Sequence, residues 1–462
     1  MKSTDLATCT ASEIARLVRA RKVSPVDVLS DCLARVERRN GEVNAVVTMN
    51  PRAMDDAKAL ERRTRRGAKA GPLAGVVVGI KDLTPVAGLR LTHGSKVHAN
   101  DVATEDAVIV QRLRAAGAII LGKTNTPEFG AGANTFNEVF GRTRNPFDLT
   151  KSAGGSTGGG AAALATGMIA LAEGTDLGGS LRIPASFCGV VGLRPSIGLV
   201  PMHPTDFVWD TLAVDGPMAR TAEDVALMLQ VVAGPSAFAP FAQPVAGRNF
   251  VAAAKKGIKR GARVAYCGDI AGIGIDPEIE RVCREAAFGL KSVGAKVEEI
   301  SLDLSAARPS FMSLRGAWFV NWTHERMASR DLFGPNVSNN VKSGLTLTTA
   351  DLAEAESVRG RIWHEFRELF GRYDHIVTPC VAVPPYPVEQ NHPDTIAGKK
   401  LVTYVDWIAP TFVLSVTGLP VASAPCGSDK NGMPVGIQII GPQFGEESVL
   451  AAATAFETNN GA

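Results

Sequence analysis

The sequence predicts an α/β fold with a largely parallel or mixed sheet, and two stretches carry that expectation. Residues 105–116 have a helical apolar pattern, Gly117 stands where a C-terminal cap belongs, and Ala118 to Leu121 resume as a short apolar strand. From Arg263 to Ile300 the order is strand, helix, strand. There Asp276 and Pro277 open the helix, Ile279, Val282, Cys283, Ala286 and Leu290 stripe one face, and Gly294 ends it. Helices alternating with strands in this way return each strand to the same sheet. The 462 residues are 45% hydrophobic and 21% charged, which excludes disorder, collagen and coiled coil. At roughly 150 residues per domain, the length allows three domains or one large one.

Taken in order, the chain should begin with helices. Thr10 with Glu13 and Ser24 with Asp27 have capping-box spacing, and Pro25 sits at a first helical position. Leu29, Cys32, Leu33 and Val36 then form one apolar stripe. Arg62, Arg63, Arg65, Arg66 and Lys69 read as a solvated helix end, because no aromatic residue is interleaved to stack on a base. Val76 to Ile80 is a β-branched run that predicts a buried strand ending at Lys81. A small-residue helix is expected at Gly159 to Gly167, and strands at Ile376 to Val381 and Val435 to Ile440. Gly234 to Gly247, rich in Ala, Pro and Phe, reads as a long surface connection that need not divide two domains. No internal repeat is present.

The formal net charge is +3, so neither nucleic acid nor an anionic membrane is the expected partner. Seven scattered cysteines without a CxxC pair fit buried thiols in a reducing compartment. Asp5, Glu13, Arg16 and Arg19 interrupt any signal-peptide core, and no apolar run is long enough to span a membrane. The cytoplasm is the expected location. No HExxH or Cys/His cluster points to a metal.

Three patterns bear on chemistry. Gly117 to Thr124 satisfies the P-loop spacing with Lys123 as its lysine, but the four residues before Gly122 are those of a buried strand, not of a phosphate wrap. Gly154 to Gly158 satisfies G-x-S-x-G around Ser156, yet residues 145–153 do not read as the buried strand that a nucleophile elbow needs. The third pattern joins Lys81 to Ser156 and to Ser180, the two serines lying in glycine-rich loops on either side of a helix. About twelve helical residues from Gly158 travel roughly 18 Å, and the residues before Ser180 could return about 26 Å if extended, so the serines can meet. Successive glycines let backbone N–H groups converge on a developing oxyanion. Burial at a strand end would lower the pKa of the Lys81 amine and make it a base. Spacing alone leaves equally open a structural pairing of Lys81 with Asp82 or Asp176.

Gly75 to Asp82, Gly122-Lys-Thr-Asn125, Phe140 to Pro146, Gly154-Gly-Ser156-Thr-Gly-Gly, and Gly174-Thr-Asp-Leu-Gly-Gly-Ser180-Leu-Arg182-Ile-Pro184-Ala-Ser-Phe-Cys188-Gly follow one another in order. With Gly418-Leu-Pro420 and Gly436 to Pro442 they extend over nearly the whole chain, which resembles the amidase signature family. The resemblance implies a single domain over 1–462 with an N-terminal helical region at about 1–70. It implies a large mixed twisted sheet flanked by helices on both faces. It also implies a Ser-cisSer-Lys triad: Lys81 as base, Ser156 as bridging serine after a cis bond from Gly155, and Ser180 as nucleophile. The backbone amides of Leu177, Gly178, Gly179 and Ser180 would form the oxyanion hole. Thr157 departs from the family, which usually has a second serine there.

The implied activity is hydrolysis of a linear, non-peptide amide through an acyl-enzyme, with no metal or organic cofactor. Carbamate or ester hydrolysis by the same triad is an alternative. Another is the glutamine-dependent tRNA amidotransferase of the A type, which usually has Gln where this chain has Ile183 and works with partner subunits. The expected partner is a small-molecule amide or carbamate, with a homodimer the possible assembly. Phe129, Trp209, Trp318, Trp322, Tyr404 and Trp407 could line an apolar pocket, although core packing is the expectation for most of them.

Overall fold

The computed structural model describes residue 6, residues 9–401 and residues 403–460. Asp5, one of the charges read against a signal-peptide core, lies outside them. The chain opens with α1 (Ala11–Arg19) and α2 (Pro25–Val43), and both capping boxes form, each cap contributing about 1 kcal/mol. The strand β1 (Val46–Met49) comes next, followed by α3 (Ala53–Arg65), whose end carries the exposed arginine run. The N-terminal region is therefore not purely helical. Four residues between Ala45 and Asn50 were too short a run to stand out from the helical pattern around them.

The middle of the chain alternates as expected. It runs through β2 (Val77–Lys81), α4 (Val108–Ala115), β3 (Ile119–Thr124), α5 (Gly158–Ala165), β4 (Leu171–Asp176), α6 (Arg182–Phe187), β5 (Val191–Arg194), β6 (Val214–Ala219) and α7 (Ala222–Val232). Then come α8 (Phe250–Lys256), β7 (Arg263–Tyr266), α9 (Pro277–Gly289), β8 (Lys296–Glu299), α10 (Ala307–Thr323), α11 (Pro335–Leu345) and α12 (Thr349–Arg372). The remaining elements of the main sheet and its helical cover are β9 (His375–Pro379), α13 (Ala409–Ser415), β10 (Val421–Ser428), β11 (Pro434–Ile440) and α14 (Glu446–Asn460). The helix after Ser156 has 8 residues, shorter than the expected run of about twelve.

Eleven strands form one mixed sheet in the order β1-β3-β2-β4-β6-β5-β10-β11-β9-β7-β8. Parallel triplets, β3-β2-β4 and β9-β7-β8, flank an antiparallel centre, and β1 closes one edge antiparallel to β3. Every residue of β2, β3, β6, β9 and β11 is buried. Since alternate side chains point to opposite faces, strands buried throughout require cover on both, and the helices supply it. Residues 234–247 form a connection without helix or strand, yet α7 and α8 on its two sides pack together, and Phe250 N–H donates to Gln230 Oε1 at 2.9 Å. All seven cysteines are buried, and none is in a disulfide. Among the described residues, no helix is long and apolar enough to cross a membrane.

Gly122, Lys123 and Thr124 lie inside β3, where no phosphate can reach them. Lys123 is fully buried, donates to the Thr84 carbonyl and sits 3.7 Å from Asp82. Gly122 serves packing between strands, since a Cβ there would stand 2.1 Å from the Thr48 carbonyl oxygen of β1. Gly122→Ala should therefore force β1 away from β3 and cost about 1–3 kcal/mol. A denaturant midpoint equal to that of the parent protein would contradict this role.

Candidate active site

Three strand ends bring the candidate site together. β2 lies between β3 and β4, parallel to both, with Ile80 opposite Glu173. Lys81 thus emerges beside Thr175 at the carboxyl ends of the strands. Its backbone N–H donates to Glu173 Oε2 at 3.0 Å, and Thr84 Oγ1 donates to the other oxygen at 2.8 Å. Across β4, Thr175 pairs with Asp215 of β6.

The Lys81 amine is fully buried and donates to three hydroxyls: Ser156 Oγ at 2.7 Å, Thr157 Oγ1 at 3.0 Å and Thr175 Oγ1 at 2.9 Å. The pairing with Asp82 or Asp176 left open above is not made. Asp82 lies by Lys123 and accepts from Thr92, while Asp176 is taken by two arginines. Burial lowers the Lys81 pKa to about 7 against the opposing pull of Glu173, Asp176 and Asp215. Burial likewise raises Glu173 above the usual carboxylate range, although Thr84 and the Lys81 N–H bond to it. Asp215 is raised well above that range by burial first and Glu173 second.

Ser156 follows a cis peptide bond from Gly155. Ser156 and Ser180 both face one cavity of about 450 Å³, and no hydrogen bond joins their side chains. The loop before Ser180 is anchored by Asp176, whose carboxylate accepts from Gly179 N–H at 2.8 Å and Leu181 N–H at 3.1 Å. Arg182 reaches it through Nε at 3.0 Å and Nη2 at 2.9 Å, and Arg194 Nη1 stands 3.4 Å away. Burial pushes the Asp176 pKa up, but the two guanidiniums outweigh it and hold the group at about 2. Because the Gly179 N–H is spent on Asp176, three of the four amides named above remain without a protein partner among the described residues: those of Leu177, Gly178 and Ser180.

Phe129, Trp318 and Trp322 line the cavity and also pack in one buried apolar cluster, while Tyr404 belongs to the main core, so most of the aromatics do pack as expected. Trp407 is fully buried in the core, and Trp209 is 66% exposed. Sequence reasoning missed Thr175, Asp215 and Arg315. The first two meet Lys81 only through strand pairing, and Arg315 comes from a helix far along the chain. Arg182, six residues after Asp176, did carry a readable signal for the anchor. Among the described residues no cluster of three or more His, Cys, Asp or Glu could hold a metal ion.

Comparison with known proteins identifies the chain as a hydrolase of carbon–nitrogen bonds. The profile of the Amidase family matches residues 27–450, and the chain belongs to that family. It is 36% identical over 459 residues to an acylamidase of Rhodococcus erythropolis, covering 97% of this chain and 94% of that protein. It is 33% identical over 474 residues to the A-type chain of the glutamyl-tRNA(Gln) amidotransferase of Moorella thermoacetica, with 97% and 96% covered. The crystal structure of a bacterial aryl acylamidase belonging to the amidase signature enzymes superposes with a TM-score of 0.93 at 28% identity, covering 99% of this chain and 97% of that one.

Asp176→Ala should leave Arg182 and Arg194 as uncompensated buried charges and cost about 3–5 kcal/mol. Chemical denaturation reads this directly, and a loss below about 1 kcal/mol would show that the anchor is dispensable.

Proposed function

We propose that the chain hydrolyses a carboxylic amide through a covalent acyl-enzyme, with Ser180 as nucleophile, Ser156 as proton bridge and Lys81 as base. The observation that carries this is the Lys81 amine: buried, bonded only to hydroxyls, and 2.7 Å from the serine that shares a cavity with Ser180. An amine with a pKa near 7 is neutral in a large fraction of molecules at neutral pH and can accept a proton.

In the proposed reaction, Ser180 Oγ attacks the carbonyl carbon while its proton passes to Ser156 Oγ, whose own proton moves to Lys81 Nζ. The carbonyl oxygen becomes the oxyanion, facing the free N–H groups of Leu177, Gly178 and Ser180. Collapse breaks the C–N bond, and the proton returns by the same route to the leaving amine. Water then repeats the sequence on the ester, releasing the acid and restoring Ser180. The two serine side chains share the cavity without a hydrogen bond between them, and catalytic contacts of this kind often tighten only in the complex with substrate.

Likeness to the acylamidase supports a stand-alone amidase. The likeness to the tRNA amidotransferases keeps a second reading, in which glutamine is the amide and its ammonia passes to a partner. Glutamine assayed beside aliphatic amides, anilides, carbamates and esters separates the readings by which substrate has the highest kcat/KM.

Ser180→Ala should lower turnover on the order of 10⁴-fold or more and abolish the acyl adduct detected by mass spectrometry. An active Ser180→Ala beside a dead Ser156→Ala would transfer the nucleophile to Ser156. The wild-type rate should rise with pH through about 7, because the folded-state pKa of Lys81 is depressed there and only its neutral form accepts a proton. A rate that climbs as pH falls below about 6 would remove Lys81 as base.

A further inference from the structure

The cavity that holds Ser156 and Ser180 also holds a guanidinium without a counter-ion. Arg315 lies on α10 and is 5% exposed. Its Nε donates to Asn340 Oδ1 at 2.9 Å and its Nη2 to Tyr404 Oη at 2.8 Å. Its Cζ stands 4.8 Å from the centroid of the Phe319 ring and 5.8 Å from those of Phe311 and Tyr404. Neutral acceptors and ring faces therefore surround it, and no carboxylate pairs with it among the described residues. A guanidinium has five N–H donors, and only Nε and Nη2 are engaged, so Nη1 has no protein partner among the described residues. A cation taken out of water costs several kcal/mol unless an anion compensates it, and aromatic faces offset only part of that.

Asp206 and Glu325, two exposed carboxylates, also line the cavity, and three further charged groups lie deeper or are paired. Arg326 pairs with Asp101 at 3.2 Å. Asp210 accepts from Trp318 Nε1 at 2.7 Å and from the Leu212 N–H at 2.7 Å. Asp215, raised well above the usual carboxylate range by burial, lies on β6 beside Thr175.

We propose that Arg315 recognises a carboxylate carried by the substrate away from the scissile bond, so that the preferred substrates are anionic amides with an apolar body. The inference rests on the amidase reading of the cavity and adds its substrate class. Placement supports it. Phe311, one turn before Arg315 on α10, has its ring edge against Gly178, where a Cβ would stand 2.9 Å from Phe311 Cζ. One helix face thus touches the loop before Ser180 and presents the guanidinium about one ring's breadth beyond. Phe129, Trp318, Phe319 and Trp322 line the space for the apolar body.

The test compares amides that differ only in the carboxylate: glutaranilic acid against pentananilide for the acyl side, and 4-acetamidobenzoate against acetanilide for the amine side. A charge-assisted hydrogen bond predicts a kcat/KM preference on the order of 10–100-fold for the acid in one arm. Arg315→Met should collapse that ratio toward 1, and Arg315→Lys, which keeps the charge but not the fork, should retain part of it. A variant that slows both members equally would mark Arg315 as structural and overturn the proposal. A wild-type ratio near 1 in both arms overturns it without any variant. Calorimetric binding of the same four compounds to Ser180→Ala reads the preference independently of turnover. An enzyme that binds the acids tightly but hydrolyses none of the four therefore loses the amidase reading and keeps the carboxylate site, whereas equal binding of acid and neutral amide removes the site.

Discussion

An amine buried without a counter-ion at the end of an interior strand is the constraint on which the rest of this site depends. The ammonium form of Lys81 has only hydroxyl oxygens for partners, so burial is not offset by an ion pair and its proton is held loosely. Had Asp82 or Asp176 reached the amine, the pair would have kept it charged at neutral pH. The structure gives each of those acids to another cation. Glu173, the carboxylate bonded to the Lys81 backbone, is itself pushed toward its neutral form by burial, so it raises the amine's pKa less than a full charge would.

The opposite solution operates a few residues away. Asp176, Arg182 and Arg194 are all fully buried, and the one carboxylate is shared between the two guanidiniums. Arg182 also donates to the Thr411 carbonyl, Gln438 Oε1 and Ser415 Oγ, tying the loop before Ser180 to α13 and β11. Such a network adds little net stability over apolar packing, but it fixes backbone direction. In the proposed mechanism that is its use: turning the Gly179 N–H into the anchor leaves the neighbouring amides aimed elsewhere.

Local signals were legible in the sequence, and pairings between distant strands were not. The capping boxes at Thr10 and Ser24, the strand ending at Lys81 and the αβ alternation all rest on spacing within a dozen residues, and they appear where spacing placed them. The apolar run before Gly122 argues against Lys123 as a P-loop lysine, and Ile119 to Leu121 of that run do lie in a strand. What escaped was the contact of Thr175 and Asp215, set by the β4–β6 register, and the delivery of Arg315 by a helix more than a hundred residues after Ser180. The short β1 escaped as well, because four residues carry too little pattern to be told from a helix boundary. The resemblance to a family supplied roles for Lys81, Ser156 and Ser180 that spacing alone left open.

Thr157, the departure from that family's usual serine, shows how such a substitution is absorbed. Its hydroxyl still meets Lys81 Nζ at 3.0 Å, so the amine keeps three oxygen partners. The added methyl needs room, and two glycines provide it: a Cβ on Gly174 would stand 2.4 Å from Thr157 Cγ2, and one on Gly160 would stand 3.1 Å from it. A β-branched side chain wedged in this way has little freedom about χ1, so the methyl that replaces a serine hydrogen also aims the hydroxyl at the lysine. Gly174, which reads in the sequence as one more flexible residue of a glycine-rich loop, is thereby a packing requirement of the residue that contacts the amine. A side chain at Gly174 would press directly on Thr157 and through it on Lys81, which is why the glycine and the threonine are best regarded as one unit.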